Sequence, residues 1–278
     1  MQPKLPHPFR FDLGGGKVLV RGRDGFFLAS QNDVYIGRSL ILYGEYNRQE
    51  ADFLKAFCDA GDFVVEVGAN VGTHTVGLAK RVGPSGRVLA VEAQPVIFRD
   101  LCANLALNGL LNVDCRQCGL GAERGTLRLP TVDYAAEGNF GGVSLAADAA
   151  GEEVEILRLD DLYRHDRLDL LKIDVEGMEI EVLKGAALAI GRHRPALYVE
   201  NDRLDSSRAL IETLFAMDYR LWWHVPRLFD PDNFFGNPQN AYGNVASFNM
   251  VGLPRRSGRA MQGMQEVLDA GAHPLRRD

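Results

Sequence analysis

The sequence lacks the long hydrophobic runs that anchor proteins in membranes. None of its apolar stretches approaches the roughly 18–20 consecutive residues that a membrane span needs. Its opening residues, Met1 to Pro6, also lack the apolar core of a signal peptide. We therefore expect no membrane partner and a cytoplasmic location.

An excess of basic residues is missing as well. The 278 residues include 31 lysines and arginines against 37 aspartates and glutamates, which gives a formal net charge of −6. Proteins whose main partner is nucleic acid normally present a basic surface to the phosphate backbone. We therefore expect no nucleic-acid partner.

Cysteine is scarce, with four residues at Cys58, Cys102, Cys115 and Cys118. Cys115 and Cys118 have the spacing of a zinc-ligand pair, but no second pair and no nearby histidine pair completes a site. This excludes a structural zinc centre of the common kinds. We predict reduced thiols, as is usual in the cytoplasm.

What the sequence does contain is a regular alternation of strand-like and helix-like segments. Strands are indicated by short apolar runs, and helices by apolar residues three and four positions apart. The predicted strands are 62–67, 87–92, 112–116, 168–173 and 195–200, and the predicted helices that follow strands are 73–82, 95–108, 178–190 and 205–216. The alternation predicts an α/β fold with a doubly wound, mostly parallel sheet covered on both faces. Two last strands, 219–223 and 244–251, predict an antiparallel terminal hairpin because no helix separates them.

Three regions are predicted along the chain. They are an N-terminal β appendage and lead-in (1–50), a main domain (51–254) and a basic C-terminal tail (255–278). In the appendage, β-like runs at 17–20, 25–28 and 33–36 lie between turn residues. Because its free strand edges can pair with those of a second copy, a homo-oligomer is an open alternative. In the tail, 261–270 is compatible with a short helix.

The segment from Glu66 to Gly72 follows the first main strand and leads into a helix. Three residues separate Gly68 and Gly72, so the loop is G-x-x-x-G and not the G-x-G-x-x-G of dinucleotide-binding proteins. Glu92 ends the next strand, where a carboxylate can accept both hydroxyls of a ribose. Because Glu66 adds a negative charge beside the loop, the pattern favours the cationic nucleoside S-adenosylmethionine over a nicotinamide cofactor.

These residues resemble the FkbM-type family of S-adenosylmethionine-dependent methyltransferases, which have a seven-stranded Rossmann-like sheet. The resemblance rests on segments 66–75, 171–177 and 182–186, with a similar lead-in at 40–46. The run Lys172-Ile-Asp-Val-Glu-Gly177 is its specific part. Glu66 stands where the family often has Asp, which keeps the charge.

The resemblance implies a cofactor site distributed along this loop and the next two strand ends. It places Glu66, Gly68, Asn70 and Gly72 at the methionine end, and Thr73 and Thr75 near the methionine carboxylate. Glu92 would hold the ribose. Cys118 and Gly119 would lie at the adenine edge, although Cys118 also fits a small buried thiol.

Catalysis is expected after the fourth main strand, at Asp174 and Glu176, where this class places the methyl-transfer centre. Methyl transfer to an alcohol requires positioning and a proton acceptor. Asp174 is the first candidate for the base or for orienting the acceptor. His74 is a second candidate base, against the alternative of a structural histidine at a helix start.

A divalent metal is a further hypothesis. Asp174, Glu200 and Asn201 offer hard oxygen ligands at adjacent strand ends, similar to the Mg²⁺ site of catechol-type O-methyltransferases. The alternative is that the acid and amide bind loop backbone. Mg²⁺ is therefore left open as a second cofactor.

Acceptor specificity is expected in the irregular segments 1–50, 135–150 and 224–243. The pattern of residues 117–160 predicts a hairpin with a loop-like crown. The pattern of residues 224–243 predicts a long irregular loop. Aromatic side chains here either line an acceptor pocket or form a hydrophobic lid, namely Trp222, Trp223, His224, Phe229, Phe234, Phe235 and Tyr242.

Two functions follow from the sequence. The first is O-methylation of a hydroxyl on a sugar, glycan or natural-product acceptor by an O-methyltransferase. The alternative is a cofactor-binding but non-catalytic partner or regulatory protein of the same fold. An amino-group methyltransferase is disfavoured because no Asn/Asp-Pro-Pro-aromatic motif is present.

Overall fold

The computed structural model describes residues 7–276, and its strands and helices alternate through most of that range. The strands are β1 (Arg10–Gly14), β2 (Lys17–Arg21), β3 (Phe26–Ser30), β4 (Phe63–Val67), β5 (Arg87–Glu92), β6 (Val113–Gln117), β7 (Gly119–Leu120), β8 (Gly125–Pro130), β9 (Gly151–Leu157), β10 (Leu170–Ile173), β11 (Ala196–Glu200), β12 (Tyr219–His224), β13 (Asn249–Pro254) and β14 (Glu266–Val267). The helices are α1 (Ile36–Tyr43), α2 (Arg48–Phe57), α3 (Thr73–Val82), α4 (Pro95–Leu107), α5 (Leu159–Leu162), α6 (Glu179–Gly185), α7 (Ala187–His193) and α8 (Leu204–Ala216), with a 3₁₀ turn at Arg255–Ser257.

A large sheet with the order β14-β12-β13-β11-β10-β4-β5-β6 forms the centre of the molecule. Strands β4, β5, β6, β10 and β11 are parallel, whereas β13 is antiparallel to both of its neighbours. The hairpin of β12 and β13 therefore ends the sheet as predicted, with β13 inserted beside β11. The predicted fold class is confirmed, and the short β14 makes eight strands in place of the predicted seven.

The two faces of this sheet are covered by different helices. Side chains alternate between the faces along each strand. Val65 of β4 and Leu171 of β10 belong to a core formed with α6, α7 and α8, while Val64 and Leu170 pack with α2 and α3. This is the doubly covered arrangement that near-continuous apolar strands require.

One row of side chains on the α2–α3 face is polar. The strand register sets Lys172 of β10 beside Glu66 of β4 on one side and Tyr198 of β11 on the other. All three side chains are at most 1% exposed. The row lies directly beneath the loop that follows β4, so it brings charged groups to the functional end of the sheet.

Two smaller sheets flank the central one. The antiparallel β1-β2-β3 sheet packs through Val20 and Phe27 against α1 and α4. The β7-β9-β8 sheet contains the predicted hairpin of the 117–160 insertion. The proposed division at residues 50 and 254 stays a prediction, and its parts 1–6 and 277–278 lie outside the described residues.

Two local predictions were wrong. Residues 33–36 lead into α1 instead of forming a strand, because the Asp33 carboxylate accepts backbone N–H bonds from Tyr35 and Gly37, both at 3.0 Å, and so caps the helix. The segment 261–270 is not helical. Its Glu266 is held extended in β14 by Arg220 of β12, at 2.8 and 2.9 Å.

The predicted helix 178–190 is divided in the structure. It forms α6 and α7, which meet at Ala186. Among the residues that the structure describes, no helix is both long enough and apolar enough to cross a membrane.

Candidate active site

A cavity of about 300 Å³ lies at the carboxyl ends of the parallel strands. The segments that follow β4, β5, β10 and β11 all contribute to its walls. The predicted site residues that line it are Glu66, Gly68, Asn70, Thr73, His74, Glu92, Cys118, Gly119, Asp174, Glu176 and Glu200. The structure thus brings together side chains that are up to 134 positions apart in the sequence (Glu66 to Glu200).

The loop after β4 depends on its glycines. Gly68 has φ +82°, and a Cβ atom there would lie 1.8 Å from the carbonyl oxygen of Asp174. Gly72 has φ +84°, and its Cβ would lie 2.7 Å from a methyl group of Leu101. Only glycine fits both the backbone conformation and the space. Gly68 therefore allows the loop to run directly against the end of β10.

Glu92 forms one end of the cavity and is held by backbone amides. Its two carboxylate oxygens accept N–H bonds from Asn70 and Gln94, each at 2.9 Å. Burial raises the pKa of this carboxyl, while those two bonds oppose the rise. Each oxygen retains a free lone-pair direction, so the group can still accept two hydroxyl hydrogens.

Cys118 and Gly119 lie near this end. The thiol of Cys118 is buried, and burial raises its pKa to about 11, so it is uncharged at neutral pH. A Cβ atom at Gly119 would lie 2.5 Å from Ile156 of the insertion, which gives this glycine a packing reason in addition to its place on the wall.

Gly72 and Thr75 support the wall from behind and do not line the cavity. Thr75 is fully buried, and its hydroxyl donates to Glu66 Oε2 at 2.6 Å. Their contact with a cofactor stays a prediction, and in the structure both residues act on the wall from behind it. Thr75 fixes the Glu66 carboxyl, and Gly72 sets the start of α3.

Lys172 is the cation at the centre of the site. Its ammonium group lies 2.9 Å from Asp174 Oδ2 and 4.0 Å from Glu66 Oε1. Burial raises the pKa of Glu66 to about 7, with Lys172 and Thr75 opposing the rise. Burial acts on Asp174 in the same direction, but the ion pair with Lys172 prevails and lowers its pKa. Of the two carboxyl groups beside Lys172, Asp174 is therefore the ionised one.

Asn201 does not join the predicted metal ligands. It is buried, its side-chain amide donates to the sulfur of Met250 at 3.4 Å, and it is not part of the cavity wall. The hypothesised set with Asp174 and Glu200 is corrected on this point. Instead, carboxylate oxygens of Glu176, Glu200 and Asp202 lie within 4.8 Å of one another.

Glu176 is part of a polar clasp across the cavity mouth. Its carboxylate accepts a bond from Arg203 at 2.7 Å, and its carbonyl accepts one from the Ser144 hydroxyl at 2.9 Å. Arg203 also donates to Ser144 at 3.0 Å. Ser144 belongs to the crown of the insertion, which is the segment 131–150 between β8 and β9. The clasp therefore holds the crown against the loops after β10 and β11.

The crown covers the other side of the cavity. Phe140 is buried, and its carbonyl accepts a bond from the Gln94 side chain at 2.7 Å. Tyr134 donates to the same Gln94 side chain at 2.8 Å. Crown residues Asn139, Gly141, Gly142, Val143 and Leu145 complete the wall.

The structure adds Glu50 to the site, a residue that sequence reasoning missed. Glu50 lies on α2, lines the cavity and is 3% exposed. Its Oε2 accepts a bond from Asn47 at 2.7 Å, and its Oε1 lies 3.5 Å from His74 Nε2. The Asn47-x-x-Glu50 spacing signals a helix start, but nothing in it signals a functional site.

His74 is a buried, neutral ring. Burial lowers its pKa to about 3, and the Lys172 charge acts in the same direction. Its Nδ1 has no hydrogen-bond partner among the described residues. His74 therefore lies on the cavity wall as a polar group that can accept or donate but carries no charge at neutral pH.

The aromatic residues from 222 to 242 do not line the cavity. Tyr43, Phe229 and Tyr242 pack against one another, and Phe234 and Phe235 contact His7. The lid interpretation therefore fits better than an aromatic acceptor pocket. The nearby wall consists of Leu228, Val245, Ala246, Ser247 and Asn249.

A match to one known protein family includes both the loop after β4 and the segment after β10. The model of the Methyltransferase FkbM domain matches residues 66–221, more than half of the 278-residue chain. The chain belongs to the FkbM methyltransferase family. The resemblance predicted from the sequence is confirmed, and Glu50 lies outside the matched FkbM segment.

Two methyltransferases are among the relatives of this chain. Methyltransferase sdnD of Sordaria araneosa is 35% identical over 161 residues, covering 44% of this chain and 60% of the relative. Methyltransferase 1 of Beauveria bassiana is 31% identical over 144 residues, covering 44% of this chain and 57% of the relative. The chain thus spans less than two thirds of the length of either relative.

A solved structure of Methyltransferase FkbM from Methylobacillus flagellatus KT also aligns with the chain. Its TM-score is 0.47 at 19% identity, and the alignment covers 70% of this chain and 44% of that one.

Proposed function

We propose that the protein is an S-adenosylmethionine-dependent methyltransferase that methylates a hydroxyl group of a sugar, glycan or natural-product acceptor. The observation that carries the proposal is the pairing of two features in one cavity. Glu92 offers two free acceptor directions at one end, and the Lys172–Asp174 pair lies at the other. The FkbM family supports the reaction type.

The chemistry of the cavity fits this cofactor. Glu92 can accept both ribose hydroxyls while it keeps its backbone bonds. Glu66, Asp174 and Glu200 surround the opposite end, and such carboxyl groups suit a molecule that carries an ammonium and a sulfonium group. When bound there, S-adenosylmethionine would supply an activated methyl group.

The residues of the chain would then position and polarise the acceptor. Lys172 keeps Asp174 ionised, so Asp174 can accept a hydrogen bond from a hydroxyl and orient it. The crown and the Arg203 clasp cover part of the cavity. Mg²⁺ is not part of the proposal.

Calorimetric titration tests the cofactor assignment. We expect S-adenosylmethionine and S-adenosylhomocysteine each to bind with one site per chain, and NAD⁺ to give no heat of binding. Glu92→Ala should weaken the binding of both nucleosides by about 10–100-fold, because a buried polar contact is lost. The exposed carboxyl Glu153, on β9, provides the matched control through Glu153→Ala. Binding of NAD⁺, or of neither nucleoside, would overturn the assignment.

A further inference from the structure

Glu50 is a buried carboxyl that reaches the cavity from outside the sheet. It is contributed by α2, and the matched family segment begins sixteen positions later, at residue 66. It is 3% exposed, and the side chain of Asn47 fixes one of its oxygens. The other oxygen faces His74 at 3.5 Å. Glu50 is thus oriented toward the polar part of the cavity by two neighbours.

The groups around Glu50 come from every element packed against it. They are Tyr46 beside α2, His74 on α3, Glu66 on β4, Lys172 and Asp174 on or after β10, and Tyr198 on β11. Lys172 is the cation of this group, and it pairs with Asp174 at 2.9 Å. Among the described residues, Glu50 has no lysine or arginine within ion-pair distance.

This difference in partners separates Glu50 from Asp174. Asp174 has a direct cationic partner, and its pKa is lowered despite burial. Burial raises the pKa of Glu50 to about 8, with only a distant Lys172 opposing it. A carboxylate stabilised by an ammonium group is a weak base, while a desolvated one without a partner is a strong base.

We propose that Glu50 is the group that accepts the proton of the acceptor hydroxyl, and that its ionisation is coupled to the charge of the methyl donor. The inference rests on the proposed function. Beside a sulfonium the Glu50 carboxylate gains a counter-ion and is ionised. Beside the neutral thioether of the product it has none and is protonated.

The step balances in atoms and charge. The acceptor oxygen forms a bond to the methyl carbon, the bond between that carbon and sulfur breaks, and its electron pair remains on sulfur. The hydroxyl proton passes to Glu50. One positive and one negative charge disappear together, which is favourable in a buried site of low dielectric constant.

Proton release on ligand binding tests the coupling without any acceptor. S-adenosylmethionine and S-adenosylhomocysteine are titrated by calorimetry at about pH 7 in two buffers with different ionisation enthalpies. We expect the sulfonium ligand to release up to about one proton more than the thioether. Glu50→Gln, which keeps the side-chain size and the helix-start bonds, should abolish this difference, and Glu50→Asp should retain it.

Glu153→Gln is the matched control. Glu153 is an exposed carboxyl on β9 that does not line the cavity, so its replacement should leave the difference in proton release between the two ligands in place. If Glu50→Gln does not fold, the wild-type protein still decides the point. Its affinity ratio for the two ligands should shift in favour of the sulfonium by up to about tenfold per pH unit as the pH rises toward 8.

The outcomes separate the two proposals. Equal proton release by both ligands in the wild-type protein, or a difference that persists in Glu50→Gln, would overturn the role of Glu50 while the cofactor assignment stands. Failure of both ligands to bind would overturn the cofactor assignment itself, and the role of Glu50 with it.

Discussion

At the scale of single residues, the central feature is a buried set of ionisable side chains beneath a glycine loop. Glu66, Lys172 and Glu50 are each at most 3% exposed. Burial of charges is unfavourable unless they are paired, so such a set adds little to folding. All three side chains line the cavity.

Removing the central cation should be strongly destabilising. Lys172→Met leaves Asp174 and Glu66 without a positive partner, so we expect a loss of about 3–5 kcal/mol in the free energy of unfolding, measured with urea at neutral pH. Lys184→Met is the control, because Lys184 forms an exposed pair with Glu181. A similar, small effect of both substitutions would contradict the role assigned to Lys172.

The loop glycine should be intolerant of a side chain for two separable reasons. Gly68→Ala is unfavourable in two ways. The backbone angle φ is positive, and the new Cβ atom would lie 1.8 Å from the carbonyl oxygen of Asp174. Gly109→Ala has the angle alone, since φ is +62° and no atom lies within 4 Å. We expect Gly109→Ala to lower the free energy of unfolding by about 1 kcal/mol, and Gly68→Ala to lower it by at least about 2 kcal/mol more. Equal losses in urea unfolding would show that the close approach to β10 is not rigid.

Sequence reasoning placed residues on the cavity wall where they lie next to a strand end, and their binding roles stay predictions. Gly68 and Glu92 could be recognised because each directly follows or ends a strand of the sheet. Glu50 could not, since it precedes the first main strand and its approach to His74 depends on how α2 packs on α3. Lys172 was visible as a charge within an apolar run, but its pairing with Glu66 required the strand register.

At the scale of elements, the insertion between β7 and β9 acts as a cover for the cavity. Its crown is tied down at one side by Gln94 and at the other by the clasp of Ser144, Glu176 and Arg203. The Arg203 bonds of the clasp are exposed, whereas the bond between Gln94 and Phe140 is buried, so we expect the clasp to open more readily than the Gln94 tie.

Loosening the clasp should speed ligand release. Arg203→Ala removes the bond to Ser144 of the crown and the bond to Glu176, and we expect the dissociation rate of S-adenosylhomocysteine to rise by about 3–10-fold in stopped-flow displacement. Arg208→Ala on α8, which begins directly after Arg203, removes only an exposed pair with Glu212 and should leave the rate unchanged. An unchanged rate in Arg203→Ala would mean that the crown does not limit release.

Elements with strong periodicity were predicted closely. Strand 87–92 and helix 73–82 have the same bounds in the structure, because apolar runs and flanking glycines define them locally. The predictions for 33–36 and 261–270 were wrong, since Asp33 caps a helix and Arg220 holds Glu266 in a strand. Both outcomes depend on side-chain bonds that periodicity does not register.

At the scale of the whole molecule, the fold places carboxyl groups with raised pKa values in one cavity. The pKa of Glu50 is about 8 and that of Glu66 about 7, against an ordinary value of 4.5. Burial thus favours their protonated forms in the folded state. Their contribution to stability is complete below pH 4.5 and is lost as the pH rises through 7 and 8.

The unliganded protein should therefore become less stable as the pH rises from about 6 to 8.5. We expect its melting temperature to fall over this window, and to fall less in Glu50→Gln, where one of the titrating groups is absent. Differential scanning calorimetry without cofactor measures both curves. Parallel curves for the two proteins would contradict the raised pKa of Glu50.

A crystal structure with S-adenosylhomocysteine tests the central claim most directly. The predicted result is a nucleoside whose ribose hydroxyls bind Glu92, with the adenine near Cys118 and Gly119. The amino-acid end would extend past Gly68 toward Asp174. A ligand bound elsewhere, or turned so that its ribose does not meet Glu92, would contradict the cofactor site and the proposed function with it.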